Sequence, residues 1–253
     1  MQYRWILSGM IVLVVLLAAC VPVKEKRSAA KDAQYHYLLG ATALSEQNPS
    51  EALKELLQAE KYDDEDPEIQ AGLAQAYWMK RAFDLSEEHF LIAIELSDND
   101  PKYYNNLGAL YLSMGRYDDA ITAFTTAADN LLFAQTELAW TGIGLAYFHK
   151  QDYSASQRAY EKAIDLNPNY YMPLFRLGEL YYNQDRPVEA LGMFTRSVEL
   201  EPDFAAGYYW QGLVYMKMKD TDAAKKSFKE VIRLAPDNEQ ARLSANYLKI
   251  IGK

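Results

Sequence analysis

Between residues 101 and 134, apolar side chains recur at helical spacing. Tyr104, Leu107 and Tyr111 form one set, and Ala120, Phe124 and Ala127 form another. Each set falls on one side of a helix, so the stretch predicts two short amphipathic helices joined by a turn at Met114–Tyr117. Gly108 and Ala120 are small where the two backbones would cross. Tyr111 and Phe124 are large and would fill the space beside that crossing. A single helix pair of this kind cannot bury its own apolar face and needs neighbours.

The same register recurs along the chain. The small residue of the first helix is Gly40, Ala74, Gly108, Gly144, Gly178 and Gly212 in successive units. A tyrosine follows three positions later at Tyr77, Tyr111, Tyr147, Tyr181 and Tyr215, with Ala43 in the first unit. The small residue of the second helix is Ala52, Ser86, Ala120, Ser156, Ala190 and Ala224. Four positions on stand Leu56, Phe90, Phe124, Tyr160, Phe194 and Phe228. Pro168, Pro202 and Pro236 close the last three units, where a proline just past a helix end prevents its continuation. The units run 33–66, 67–100, 101–134, 137–170, 171–204 and 205–238. Only the third interval is irregular, by two residues around Phe133–Thr136. Registered recurrence of this kind argues against a generic helical bundle.

The pattern Y-x2-L-G-x2-Y followed by A-x3-F and a closing proline resembles the tetratricopeptide repeat. That resemblance implies an all-α tetratricopeptide-repeat solenoid of six helix-turn-helix units with a C-terminal capping helix. Residues 239–253 are the expected cap. Helical periodicity continues through Glu239–Ile250, but Asn246 stands where the small residue would be and Lys249 where the tyrosine would be. Leu243, Tyr247 and Leu248 are the expected cover for the final repeat, with a more polar face outward.

The start of the chain follows a different pattern. Arg4 is followed by an uncharged apolar run, Trp5–Leu17, and then by Leu17-Ala18-Ala19-Cys20. This layout predicts a signal peptide over 1–19. Its ending resembles a bacterial lipobox, which implies cleavage before Cys20 and lipidation of its thiol. The alternative is an uncleaved membrane anchor over Trp5–Val23, which just reaches spanning length. By the same resemblance, Val21 in place of an aspartate implies sorting to the cell outer membrane, on its periplasmic face. Residues 20–32, with Pro22 and the mixed run Lys24-Glu25-Lys26-Arg27, are expected to be a solvated tether. That basic cluster could also sit against anionic lipid head groups.

Composition narrows the function classes. The 253 residues carry a formal net charge of −9, which argues against non-specific nucleic-acid binding. A single cysteine excludes an internal disulfide. His36, His89 and His149 fall at unrelated repeat positions. No H-E-x-x-H, C-x2-C, phosphate loop or G-x-S-x-G occurs. The acidic stretch Asp63–Asp66 lies between two units and reads as a solvated link rather than a calcium loop. The expectation is therefore no enzyme, no metal, no cofactor and no small-molecule substrate.

What remains is recognition by surface. In the repeat family, the first helices line a concave face, mainly through their second, fifth, ninth, twelfth and thirteenth positions. Here these include Tyr37 and Leu44, Trp78 and Met79, and Asn105 and Leu112. The later units supply Leu145 and Phe148, Phe175 and Tyr182, and then Tyr209, Leu213 and Met216. Glu68, Lys102, Glu179 and Lys217 are the charged exceptions. The alternative placement for some of these aromatics is against adjacent helices. A groove of this composition suits an apolar or amphipathic peptide. It resembles neither the carboxylate-clamp subtype nor the asparagine ladder of the glycosyltransferase type, since the sixth position is asparagine only at Asn106.

The middle of the chain is similar to the type IV pilus biogenesis lipoproteins, the pilotins. The resemblance rests on Asn105-Asn106-Leu107-Gly108, Tyr117-Asp118-Asp119-Ala120, Ala127-Ala128-Asp129-Asn130-Leu131 and the two-residue insertion. It implies a protein partner, an outer-membrane secretin, whose localisation and multimerisation the protein would aid. In that family the first units make the contact, which points to Tyr37, Leu44, Trp78 and Met79. The other expectation is a general cell-envelope scaffold that recruits peptidoglycan enzymes or polysaccharide-export components.

Overall fold

The structure, a computed structural model, describes residues 23–252. Its contacts divide the chain into two compact units, one ending at Leu96 and the other opening at Ser97. The first holds α1 (Val23–Ser45), α2 (Pro49–Tyr62), α3 (Pro67–Met79) and α4 (Phe83–Leu96). The second holds α5 (Pro101–Ser113), α6 (Tyr117–Ala128), α7 (Thr136–His149), α8 (Tyr153–Leu166), α9 (Tyr171–Asn183) and α10 (Pro187–Leu200). It continues with α11 (Ala205–Lys217), α12 (Thr221–Leu234) and α13 (Glu239–Ile251). No strand occurs among the described residues.

Local chemistry starts and stops these helices. Asn48, Asp66, Asp100, Asp152, Asp220 and Asn238 each accept a backbone N–H at a helix start, which satisfies a donor the helix leaves open. Each first helix of a pair then stops in the same way. Gln47, Arg81, Gly115, Gln151, Asp185 and Lys219 all adopt positive φ. The next backbone N–H reaches back to a carbonyl five residues earlier, as from Arg116 to Tyr111 at 2.9 Å and from Asp152 to Tyr147 at 3.0 Å. Only Gly115 meets the left-handed conformation without a Cβ penalty.

Within a pair, the large side chain of the second helix lies on the small residue of the first. Leu56, Phe90, Phe124, Tyr160, Phe194 and Phe228 are all buried, as are the small residues Ala52, Ser86, Ala120, Ser156, Ala190 and Ala224. A Cβ on Gly108 would stand 2.8 Å from the Phe124 ring, and one on Gly144 would stand 2.5 Å from Tyr160. Where the crossing residue is serine, its hydroxyl donates across the gap. Ser86 bonds the Ala74 carbonyl and Ser156 the Gly144 carbonyl, each at 2.8 Å. The same large side chains also reach the following pair. Leu56 lies against Gly72, and Phe124 lies against Gly142.

Three segments differ from expectation or extend it. Residues 23–32, within the expected solvated tether, are helical and form the start of α1 among the described residues. The run Lys24–Lys31 contains no glycine or proline and is rich in good helix formers, so α1 extends toward the N-terminus. Between α6 and α7 the link runs 129–135. Phe133 turns inward and is buried, whereas Leu131 and Leu132 stand in solvent. At the C-terminal end, α13 lays Tyr247 flat on Phe228, with ring centroids 5.0 Å apart and planes 9° apart, and buries Ala241 and Ser244. Residues 1–19 and Cys20 lie outside the described residues.

Two glycines test this packing in opposite directions. Gly192, within α10, has open space where its Cβ would go, so Gly192→Ala should stabilise by about 0.5–1 kcal/mol through helix propensity. Gly144→Ala gains the same propensity but drives a methyl into buried Tyr160, at a cost of about 1–3 kcal/mol, so the net effect is destabilising. Urea unfolding of the two variants should move the midpoint in opposite directions.

Candidate functional site: the first-helix faces

In the second unit, successive first helices touch one another: α5 meets α7, α7 meets α9, α9 meets α11 and α11 meets α13. No two second helices meet to a comparable extent among the described residues. Helices that approach each other lie on the inside of a curved stack, so the first-helix face is the concave one there. In the first unit, α1 likewise meets α3.

In the second unit this face carries Asn105 and Leu112 from α5, Leu145 and Phe148 from α7, Tyr182 from α9, and Tyr209, Leu213 and Met216 from α11. All are half-buried. Phe175 is a correction. It is 5% exposed and packs between Phe194 and Phe204, at 5.6 and 4.9 Å between centroids. It is a core residue, because the ring of Phe204 from the α10–α11 link closes over it. The aromatic rings of the face hold one another in place. Tyr182 meets Trp210 edge-on at 5.2 Å, and Trp210 stacks on Phe194 at 5.8 Å. Lys217 lies 4.7 Å from the Tyr182 centroid while pairing with Asp185 at 2.7 Å. The side chains offered to a partner are therefore ordered before it arrives, which lowers the entropy lost on binding.

In the first unit, Tyr37, Trp78 and Met79 are half-buried, and Tyr37 and Met79 rest against the core around Leu56 and Leu73. Leu44 is a second correction: it is 8% exposed and belongs to that core. What repeat-position reasoning missed is the outer face of α1. Tyr35, Leu38 and Leu39 are 61%, 55% and 39% exposed. Their i, i+3, i+4 spacing is a helical apolar face lying off the repeat stripe, and that spacing is the signal that could have found them.

The histidines serve packing. His36 lies 2.7 Å from Glu55 and stacks on Tyr62; its contact is the main cause of a lowered Glu55 pKa. His89 lies 2.6 Å from Gln70 and stacks on Tyr77, and burial lowers its pKa. His149 stacks on Tyr117. Among the described residues, no group of three or more His, Cys, Asp or Glu is placed to hold a metal ion, and no helix is long and apolar enough to cross a membrane.

Glu179 is the one acid of the concave face whose carboxyl burial pushes up, against the pull of Arg176 at 2.8 Å. A carboxyl with a raised folded pKa favours the fold below its unfolded pKa and loses that contribution as pH rises through the folded value. Glu179→Gln should therefore raise the unfolding temperature at about pH 7.5 and match the parent near about pH 3.5. Paired thermal melts at the two pH values read this difference, and equal melts at both would show that the Arg176 pair cancels the burial.

Models of the tetratricopeptide repeat match residues 37–101, 101–129, 138–170, 159–192 and 205–238, together well over half of the chain. Among curated proteins, a UDP-N-acetylglucosamine–peptide N-acetylglucosaminyltransferase of Giardia intestinalis is 27% identical over 154 residues, which is 58% of this chain and 10% of that protein. The chain spans less than half the length of the curated relatives it matches. Among solved structures, Pseudomonas aeruginosa PilF is 19% identical with a TM-score of 0.69, covering 87% of this chain and 99% of PilF. PilW, a widely conserved type IV pilus biogenesis factor, is 14% identical with a TM-score of 0.72, covering 83% of this chain and 97% of PilW.

Proposed function

The chain belongs to the tetratricopeptide repeat family, and from that premise we propose that it is a lipid-anchored scaffold of type IV pilus biogenesis that binds an outer-membrane secretin and aids its localisation and multimerisation. The repeats form a protein-interaction scaffold, and the open question is what they hold and where. The observation that carries the reading is end-to-end correspondence. PilF and PilW are matched over 99% and 97% of their lengths. The transferase relative is matched over 10% of its length, so its activity does not pass to this chain.

Two further features support the reading. Cys20 ends a Leu-Ala-Ala-Cys sequence and is the only cysteine of the chain. Lipid on its thiol would hold the protein at the outer membrane, facing the periplasm, and raise its local concentration near a pore subunit destined for that membrane. The partly exposed side chains Tyr37, Trp78 and Met79, together with Tyr35, Leu38 and Leu39 on α1, are mostly uncharged and suit an apolar segment of the secretin. Covering such a segment until the pore assembles would keep it from aggregating.

Affinity capture from detergent-solubilised membranes, read by mass spectrometry, tests this. Secretin should accompany the wild-type protein and be lost with Trp78→Glu, while circular dichroism of the variant stays unchanged, because Trp78 is only half-buried. Equal secretin recovery with both proteins would remove the contact from this face. Peptidoglycan enzymes or polysaccharide-export components captured without secretin would move the function to a general envelope scaffold.

A further inference from the structure

The repeats are not equivalent where the first-helix tyrosine meets the second helix. In α5–α6, the guanidinium of Arg116 covers the Tyr111 ring at 4.3 Å, and Asp119 holds it at 2.7 Å. In α9–α10, Arg186 covers Tyr181 at 4.2 Å and Glu189 holds it at 3.0 Å. Both tyrosines are buried under these covers. In α7–α8, the residue in the arginine register is Asp152 and the residue in the acid register is Ala155. Both parts of the cover are missing. Tyr147 is only half-buried, and a cleft of about 400 Å³ opens beside it.

It is lined by buried Ile143, Ala155 and Ala159, by half-buried Trp140 and Tyr147, and at its exposed rim by Arg158 and Lys162. Both rim cations are exposed. Arg158 bonds only the Ser154 hydroxyl, at 3.4 Å, and neither cation meets a carboxylate among the described residues. Three nearby acids are turned to other tasks. Asp152 accepts the Ala155 N–H at the start of α8, Asp118 takes Lys150, and Glu161 accepts from Gln157.

We propose that this cleft is a second docking site, separate from the concave face, for an acidic polypeptide segment that presents one large apolar or aromatic side chain between carboxylates. The size matches the low end of ligand pockets, about 300–1,000 Å³, so it accepts one side chain rather than a helix. An aromatic guest would lie against Trp140 and Tyr147, covering the Tyr147 ring as arginine covers the tyrosine of the neighbouring repeats. Charge decides the flanks. A basic guest would meet Arg158 and Lys162, whereas aspartates or glutamates would pair with them and add specificity.

The test is fluorescence anisotropy with the full-length chain in detergent. The probes are three dye-labelled pentapeptides: Glu-Asp-Phe-Asp-Glu, Lys-Lys-Phe-Lys-Lys and Glu-Asp-Ala-Asp-Glu. The acidic phenylalanine peptide should bind at least about tenfold more tightly than either control. Arg158→Glu with Lys162→Glu changes only exposed positions and should weaken it by a similar factor. Asp152→Arg with Ala155→Glu rebuilds the cover of the neighbouring repeats; it gives up the Asp152 cap of α8, at about 1 kcal/mol, and should abolish binding while helical circular dichroism at the assay temperature stays that of the parent. Absence of binding by the acidic peptide, equal binding of the basic peptide, or full binding to the covered variant would each overturn the proposal.

Discussion

Everything in this fold rests on the contact between a bulky side chain of a second helix and a glycine or alanine of the first. Phe124 on Gly108, Tyr160 on Gly144 and Phe194 on Gly178 leave no room for a Cβ without displacement. That approach sets how close the two helices come and therefore where their other faces point. Because Phe124 also rests on Gly142 and Leu56 on Gly72, the same side chain joins one pair to the next. Stability in such a stack is a sum over pairs and their interfaces, and each large residue contributes to both.

The crossing also fixes which surface is available. First helices approach one another along the second unit, and second helices do not. The first-helix face thus gathers side chains from several repeats, and the rings there brace each other through Tyr182, Trp210 and Phe194. A surface assembled this way is ordered without a ligand, yet its chemistry changes from one repeat to the next. Variation at positions beside an invariant crossing lets one backbone plan present different partners with different sites. The arginine cover over Tyr111 and Tyr181, and its absence over Tyr147, is one such local change.

The ends of each helix follow short-range rules, while the ends of the stack do not. Every first helix stops with a residue at positive φ although only one of these is glycine, and the backbone bond from the next N–H to the carbonyl five residues earlier holds that turn despite the Cβ penalty. At the N-terminal side, α1 exposes Tyr35, Leu38 and Leu39. At the C-terminal side, α13 covers Phe228 with Tyr247. Among the described residues, α1 thus leaves an apolar face open, while the ring of Phe228 is covered.

Spacing alone determined the helix pairs, their small-on-large crossings and the family, because a helix brings residues three and four apart to one face whatever else the chain does. Tertiary structure decided coverage. Phe175 and Leu44 occupy groove positions by register, yet Phe204 covers the one and the first-unit core takes in the other. The helical course of residues 23–32, the outward Leu131 and Leu132 and the open cleft beside Tyr147 were settled in the same way. Register says which way a side chain leaves its helix, and only the surrounding chain says whether something lies on top of it.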